Sequence, residues 1–272
     1  MRQIKGILLM LPVFEKVYRK FRKWTEGGLK IKIDSQVPTE RFGTPYGGWI
    51  IPANFLHADS VCYLVGAGED VSFDLEIAHR FGCTVDIFDP TPRAVQHIEK
   101  LIKALKKSEP MPCATSPTGF YPPYPTELAS QLRLHPFGIW DTEGTLRFFM
   151  PENKSHVSHS LVNLQKSDSH IQVPVRTLQS ILGELGHQYI DLLKLDVEGA
   201  EYQIIKSFLL ARIPVGVLCI EFDETANNHL DRDYMARIKS SIDALAAAGY
   251  RVIAQEPDCR NFTFLHESVD LS

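Results

Sequence analysis

The chain of 272 residues is 44% hydrophobic and 23% charged, and it carries a formal net charge of −4 at pH 7. This composition is ordinary for a globular domain with a large core. The slight negative charge argues against nucleic acid as a partner, because nucleic-acid-binding surfaces are basic. We therefore expect a small-molecule substrate. The five cysteines form no CxxC pair, which argues against a disulfide framework or a zinc site and favours the reducing cytoplasm.

The N-terminus begins with an apolar stretch at residues 6–14 that follows Arg2 and Lys5, as at the start of a signal peptide. The stretch is too short to span a bilayer, and a basic segment follows it in place of a small-residue cleavage site. We predict an N-terminal helix that packs on the domain, without stable membrane insertion; a membrane-surface role for its basic face is the alternative. Residues 1–50 are interpreted as an extension, made of this helix and an ordered loop, before a main domain at 51–272.

Strands and helices alternate along the main domain. Short apolar runs that end at turn residues predict strands, and apolar residues at helical spacing predict helices. The pattern predicts an α/β fold of Rossmann-like type, with a mainly parallel seven-stranded sheet and a C-terminal antiparallel hairpin. The predicted strands are Val61–Val65, Thr84–Phe88, 135–140, 145–149, Ile190–Leu195 and 215–220; the helices are 73–81, 93–107, 199–210 and 233–248; an insertion or long loop occupies 108–130, and the hairpin is 251–255 with 261–265.

A glycine-rich turn follows the first strand of the main domain. Gly66, Ala67 and Gly68 stand between that strand and a helix, where glycines let the backbone approach a ligand closely. Asp89 ends the next strand, about 20 residues after Gly68, which is the spacing at which an acid holds the ribose hydroxyls in nucleotide-binding Rossmann folds. The segment predicts a ribose-bearing cofactor; an unoccupied turn with a solvated Asp89 is the alternative.

The residues after this turn distinguish two classes of cofactor. A dinucleotide site prefers Gly or Ala at the position where this chain has Val71. The paired carboxylates of Glu69 and Asp70 would repel a pyrophosphate, whereas they suit the sulfonium and ammonium groups of S-adenosylmethionine. The segment therefore favours S-adenosylmethionine over a nicotinamide dinucleotide.

Three further residues are assigned to the cofactor site. Pro90 follows Asp89 directly, and Trp140 and Asp141 lie at the end of the predicted strand 135–140. We interpret Trp140 as a surface for the adenine ring, with packing in the core as the alternative.

Two acids follow the predicted strand Ile190–Leu195. Asp196 and Glu198 lie two positions apart, so an extended backbone points both to the same side. Such a pair can orient a hydroxyl, accept its proton or hold a divalent cation. We predict that Asp196 and Glu198 are catalytic. The alternative for Glu198 is an acid favoured by the dipole at a helix N-terminus, and we prefer that interpretation for Glu201.

The segment 190–201 resembles the signature of FkbM-type methyltransferases, and Thr177-Leu178 upstream is also typical of that family. Residues 65–74 and 88–92 are similar to the cofactor motifs of one bacterial branch of the family. The resemblance runs from about Tyr46 to the C-terminus, with several motifs in the same order and spacing.

This resemblance implies a class I methyltransferase fold with S-adenosylmethionine as the methyl donor. It also implies methylation of a hydroxyl oxygen on a sugar or a secondary metabolite. By the same resemblance Gly66, Gly68 and Asp89 bind the cofactor, while Asp196 and Glu198 lie beside the transferred methyl group.

Candidate substrate residues lie in two loops. His156 and His159 stand between predicted strands, and an imidazole is a natural base for a hydroxyl. We predict His159 as a catalytic residue and His156 as a substrate contact; ordinary loop hydrogen bonds are the alternative for both. Tyr46 and Trp49 are predicted to wall the substrate pocket, as aromatic side chains often do around small organic molecules, or else to anchor their loop.

These expectations describe an S-adenosylmethionine-dependent O-methyltransferase that acts on a hydroxylated small molecule. An N-methyltransferase, a nicotinamide-dependent oxidoreductase and a cofactor-binding protein without activity are the alternatives. No residue is assigned to a metal: the HxxH of His156 and His159 has no helix or third ligand for zinc, and a divalent cation at Asp196 and Glu198 is left open.

Overall fold

The computed structural model describes residues 31–149, 170–224, 229, 232–256 and 260–271. The predicted N-terminal helix lies outside these residues. Across the described ranges no helix is both long enough and apolar enough to cross a membrane. The four described cysteines, Cys62, Cys83, Cys113 and Cys219, are buried free thiols.

The centre of the fold is a mixed seven-stranded sheet. Its strands, in spatial order, are Tyr250–Gln255 (β11), Asn261–His266 (β12), Val215–Glu221 (β10), Ile190–Leu195 (β9), Val61–Val65 (β3), Thr84–Phe88 (β4) and Leu132–His135 (β5). In this sheet only β12 runs antiparallel to its neighbours. The predicted α/β class is confirmed, and the last two strands pair with each other antiparallel.

Both faces of this sheet are buried, because apolar side chains alternate between two clusters. On β3, Cys62 and Leu64 belong to one cluster, whereas Tyr63 and Val65 belong to the other. An uninterrupted apolar run with a period of two is what a central parallel strand needs when helices cover both of its sides.

Within the described residues five α-helices supply that cover, and their ends lie within about two residues of the predicted bounds where a helix was predicted. Pro92 begins α2, where its missing N–H is no loss, and Gly82 ends α1 in the left-handed conformation. The Thr177 side chain caps α3 by accepting the Ser180 N–H at 3.1 Å. The helices are α1 (Ser72–Phe81), α2 (Pro92–Lys106), α3 (Leu178–Leu185), α4 (Glu201–Leu210) and α5 (Tyr234–Ala247).

One predicted strand of the main sheet was wrong. The segment 135–140 was predicted as a sheet strand, but the edge strand is β5, and the following β6 (Gly138–Ile139) belongs to a separate three-stranded sheet. That small sheet pairs β6 and β7 (Gly144–Phe149) with β8 (His170–Arg176). The sequence analysis missed β8, whose central Pro174 weakens its strand signal although Val173 and Val175 alternate inward.

Two segments predicted as loops also contain regular structure. The ordered loop before residue 50 is a hairpin of β1 (Thr39–Phe42) and β2 (Trp49–Pro52) that packs on the main sheet, where the Thr263 hydroxyl donates to the Ile50 carbonyl. The segment 108–130 ends in a short 3₁₀ helix, Thr126–Ser130. Both segments reach the carboxyl ends of the central strands, where the cavity described next is found.

Candidate functional site

A cavity of about 480 Å³ lies at the carboxyl ends of β3, β4, β9 and β10. This is the edge at which open parallel sheets bind ligands. The turn between β1 and β2 and the segment around Thr115 close its side. The predicted site residues that line it are Tyr46, Gly66, Ala67, Gly68, Glu69, Asp70, Asp89, Pro90, Asp196 and Glu198.

The glycine turn after β3 lies directly against the turn after β9. Gly66 has a φ of +79°, and a Cβ placed on it would come within 1.7 Å of the Asp196 carbonyl oxygen. The Asp196 N–H in turn donates to the Val65 carbonyl at 3.1 Å. Only glycine fits at position 66, because any side chain would collide with backbone there.

Gly68 has a different reason to be glycine. Its φ is +58°, and a Cβ placed on it would meet no atom within 4 Å. Since Gly68 lines the cavity, that Cβ would occupy space open to a ligand. The backbone here forms a cradle that a side chain would fill.

Asp89 is the buried brace of this turn. Its Oδ2 accepts the N–H groups of Ala67 and Gly68, both at 3.0 Å, and its Oδ1 accepts the N–H and the hydroxyl of Thr91 at 2.8 and 2.7 Å. A carboxylate offers about four acceptor positions, and these bonds occupy them. A ribose hydroxyl would therefore bind Asp89 by replacing one of these bonds.

Glu69 and Asp70 both line the cavity, yet each is engaged by the protein. Glu69 pairs with Arg93 at 2.5 Å on the half-exposed rim. Asp70 is buried and accepts hydrogen bonds from the hydroxyls of Thr44 and Thr115. Burial alone would raise the pKa of Asp70, but these bonds and those from Ser72 outweigh it and lower the pKa. Asp70 thus fastens the surrounding loops to the start of α1.

Lys194 connects the glycine turn to the first predicted catalytic acid. Its buried Nζ donates to the Gly66 carbonyl at 2.5 Å and pairs with Asp196 Oδ2 at 3.1 Å. Burial would lower the pKa of Lys194, but the carboxylates of Asp196 and Asp74 outweigh it and raise the pKa. A charged lysine therefore holds Asp196 at the cavity wall.

Glu198, the second predicted catalytic acid, has a φ of +50°. A non-glycine residue in this left-handed region costs free energy, and such residues concentrate at functional sites. Gly199 continues the turn with a φ of +95°, and α4 begins at Glu201. The tight turn keeps both Asp196 and Glu198 on the cavity wall.

Two acids at the end of β10 line the cavity as well, and the sequence analysis missed them. Glu221 and Asp223 lie beside the β9 acids because β9 and β10 are neighbours in the sheet. Burial raises the pKa of Asp223 well above its usual range, and the nearby carboxylates of Glu198 and Glu201 raise it further. The available signal was an acid pair two positions apart after a buried strand, the same pattern that marks Asp196 and Glu198.

Glu201 stands in the first turn of α4, as predicted, but not as a surface charge. Its side chain is fully buried, and this burial raises its pKa to about 8. The Glu201 carboxyl group is therefore easier to protonate than that of an exposed glutamate.

Three predicted site residues lie away from the cavity. Trp49 is only 2% exposed and belongs to the core, because its strand points it inward. Trp140 is partly buried and packs against two apolar clusters, outside the cavity lining. Asp141 accepts a hydrogen bond from Gln203 at 2.5 Å. By contrast, Tyr46 is 76% exposed at the rim, and His156 and His159 lie outside the described residues.

The fold and the cavity define a class of ligand-binding α/β proteins. Within this class the chain belongs to the FkbM methyltransferase family, since the family model described as the methyltransferase FkbM domain matches residues 67–252. The resemblance noted in the sequence is thus confirmed. Among solved structures, methyltransferase FkbM from Methylobacillus flagellatus KT matches at 13% identity with a TM-score of 0.44, over 76% of this chain and 44% of the other. The chain therefore spans less than half the length of that protein, and no curated protein matches it.

Proposed function

We propose that the protein is an S-adenosylmethionine-dependent methyltransferase that methylates a hydroxyl oxygen of a small molecule. Membership of a methyltransferase family supports the reaction class. The observation that carries the proposal is the contact between the glycine turn and Asp196, because it brings a cofactor cradle and an acid to the wall of one cavity.

The charge of the cavity favours this donor over a dinucleotide. Among the described residues that line the cavity, seven are acidic, whereas the basic ones are Lys194 and Arg260. An excess of carboxylates attracts the sulfonium and ammonium groups of S-adenosylmethionine and repels a pyrophosphate. The volume, about 480 Å³, lies within the range of small-molecule sites. A nicotinamide-dependent oxidoreductase is correspondingly disfavoured.

The backbone from Gly66 to Gly68 would hold the cofactor, braced from beneath by Asp89. When bound, S-adenosylmethionine supplies an electrophilic methyl group on a positively charged sulfur. A carboxylate oxygen of Asp196 would accept the proton of the acceptor hydroxyl as the hydroxyl oxygen takes up the methyl group, and S-adenosylhomocysteine would be the leaving group. Lys194 positions Asp196 for this step, and alignment of the reacting atoms supplies much of the rate.

The remaining predicted residues have smaller parts in this proposal. Glu198 follows Asp196 by two residues, lines the same cavity and would limit the space that the acceptor molecule can occupy. Tyr46 contributes an aromatic face at the entrance. The participation of His159 and His156 in the reaction stays a prediction. A cytoplasmic location is also proposed, on the basis of the scattered cysteines of the sequence.

Calorimetric titration with S-adenosylhomocysteine tests the donor. We expect saturable binding by the wild-type chain and no binding of NADH. In Gly68→Ala the added methyl group enters the cradle, so affinity should fall at least about ten-fold. Gly186→Ala is the matched control: its φ of +73° and its empty surroundings are similar, but it ends α3 away from the cavity. The proposal fails if the folded wild type binds neither S-adenosylhomocysteine nor S-adenosylmethionine at millimolar concentration.

The acceptor is tested separately with S-adenosylmethionine labelled in its methyl group. We expect label to enter hydroxylated small molecules as an alkali-stable ether. Transfer only to amines would favour the N-methyltransferase alternative. Tight donor binding with no transfer to any acceptor class would favour a cofactor-binding protein without activity.

A further inference from the structure

Three carboxylates lie close together where β9 and β10 end at the cavity. Oxygen atoms of Asp196, Glu221 and Asp223, one from each residue, lie within 4.8 Å of one another. Asp196 follows β9, Glu221 ends β10 and Asp223 stands two residues later, so the sheet itself sets their separation. Carboxylates at such distances repel each other unless a positive charge lies between them.

Two oxygen atoms beside this cluster are buried without a hydrogen-bond donor. Asp223 Oδ2 has no partner among the described residues, although its side chain is only 5% exposed. Asn261 Oδ1 is likewise buried and unsatisfied within the described ranges, and Asn261 lines the same cavity. A buried carboxylate oxygen without a partner costs free energy. Its position on the cavity wall points to a ligand that is positively charged or donates a proton.

Arg260 does not meet this need. Its guanidinium pairs with Glu221, but its closest nitrogen is 3.9 Å from Asp223 Oδ1. Lys194 is committed to Gly66 and to Asp196. Lys194 therefore pairs with Asp196 and Arg260 with Glu221, whereas Asp223 Oδ2 has no hydrogen-bond partner among the described residues.

We propose that Asp196, Glu221 and Asp223, with the amide oxygen of Asn261, bind a divalent cation such as Mg²⁺ or Mn²⁺. Carboxylate and amide oxygens form the all-oxygen set that these hard cations prefer. This assigns metal ligands where the sequence analysis assigned none. All four ligands stand at a strand end or within two residues of one, so the site is built on the rigid sheet.

The role of the cation rests on the proposed function. A cation beside Asp196 would also hold the oxygen of the acceptor hydroxyl and lower its pKa, which eases transfer of the proton to the carboxylate. Acceptors with two adjacent oxygen atoms, such as vicinal diols, would then be preferred because both oxygens reach the cation.

Titration of the EDTA-treated full chain with Mn²⁺, followed by electron paramagnetic resonance of free Mn²⁺, tests the site itself. We expect one saturable site with a Kd below about 1 mM. Asp223→Asn and Glu221→Gln should each weaken it at least about ten-fold, whereas Arg260→Gln should tighten it because a competing cation is removed. Asp243→Asn is the matched control, since it neutralises an exposed acid on α5 that does not line the cavity and should leave Mn²⁺ affinity unchanged.

Wild-type Mn²⁺ affinity in either ligand variant, with folding verified by circular dichroism, would overturn the proposal, as would the absence of saturable binding to the wild type. Glu221→Gln carries the test by itself should Asp223→Asn not fold, since Glu221 is only partly buried. Titration with S-adenosylhomocysteine in EDTA separates the two proposals. Donor binding without Mn²⁺ binding removes the cation alone, and Mn²⁺ binding without donor binding removes the proposed donor alone.

Discussion

The two walls of the cavity are built on different principles. At the ends of β3 and β4, the acids are satisfied: Asp89 uses its four acceptor positions, and Asp70 is bonded by hydroxyls from two loops. At the ends of β9 and β10, Glu198 has a strained backbone, and one buried oxygen of Asp223 accepts no hydrogen bond from any residue that the structure describes. The first wall is preorganised as a cradle. The second wall combines a strained backbone at Glu198 with a buried oxygen of Asp223 that has no hydrogen-bond partner within the described residues, and both features are typical of functional sites.

The largest expected effect comes from a substitution that forces the two walls apart. Gly66→Ala places a Cβ within 1.7 Å of the Asp196 carbonyl oxygen, so the turns after β3 and β9 must separate. We expect a loss of about 3 kcal/mol or more in the free energy of unfolding, measured by urea denaturation. Gly186→Ala, with only the left-handed strain, should lose about 1 kcal/mol. Equal losses in the two variants would show that the contact between the turns is not tight.

Asp89→Asn is expected to disturb the glycine turn after β3 and to leave the acids at the ends of β9 and β10 in place. An amide side chain can accept at only one of its two ends, so about two of the four hydrogen bonds are lost. We expect a loss of about 2 kcal/mol in the free energy of unfolding and at least about ten-fold weaker binding of S-adenosylhomocysteine. Asp86→Asn is the control, because Asp86 is buried on the same strand but pairs with His135 at 2.7 Å outside the cavity. Unchanged affinity in Asp89→Asn would separate Asp89 from the cofactor.

The buried carboxyl group of Glu201, at the start of α4, makes stability depend on pH. Burial raises the pKa of Glu201 to about 8 from its ordinary 4.5, so the folded state binds the proton more tightly than the unfolded state. This contribution is complete below pH 4.5 and is lost as the pH rises to 8. In EDTA we expect the Tm of the wild type to fall between pH 5 and pH 8, and the Tm of Glu201→Gln to fall less. Parallel curves for the two proteins would contradict the assignment.

The smallest effect is expected at the rim of the cradle. The Arg93–Glu69 pair is about 40% exposed on each side, and such pairs contribute less than about 1 kcal/mol. Arg93→Gln should therefore change the free energy of unfolding no more than Lys239→Gln, which removes an exposed pair on α5. A clearly larger loss in Arg93→Gln would mean that Glu69 and Arg93 brace the cradle, as Asp89 does.

The elements with strong local patterns were predictable. The apolar runs of β3, β4, β9 and β10 and the apolar spacing of α2 follow directly from the chemistry of adjacent residues. Weak or interrupted patterns failed: Pro174 concealed β8, and the segment 135–140 was divided between two sheets. Such short strands depend on partners that are distant in the chain, which local propensity does not encode.

The sequence by itself determined the α/β class, the glycine turn with its acid partner, and Asp196 and Glu198 at the end of a buried strand. Tertiary structure decided which of these residues meet. The neighbouring places of β9 and β10 in the sheet bring Glu221 and Asp223 to Asp196, and the return of β12 adds Asn261. It also placed Trp49 in the core, packed Trp140 against two apolar clusters and committed Asp89 to the turn. Spatial order in a sheet arises from long-range packing, so no local stretch of sequence specifies which strand ends share a cavity.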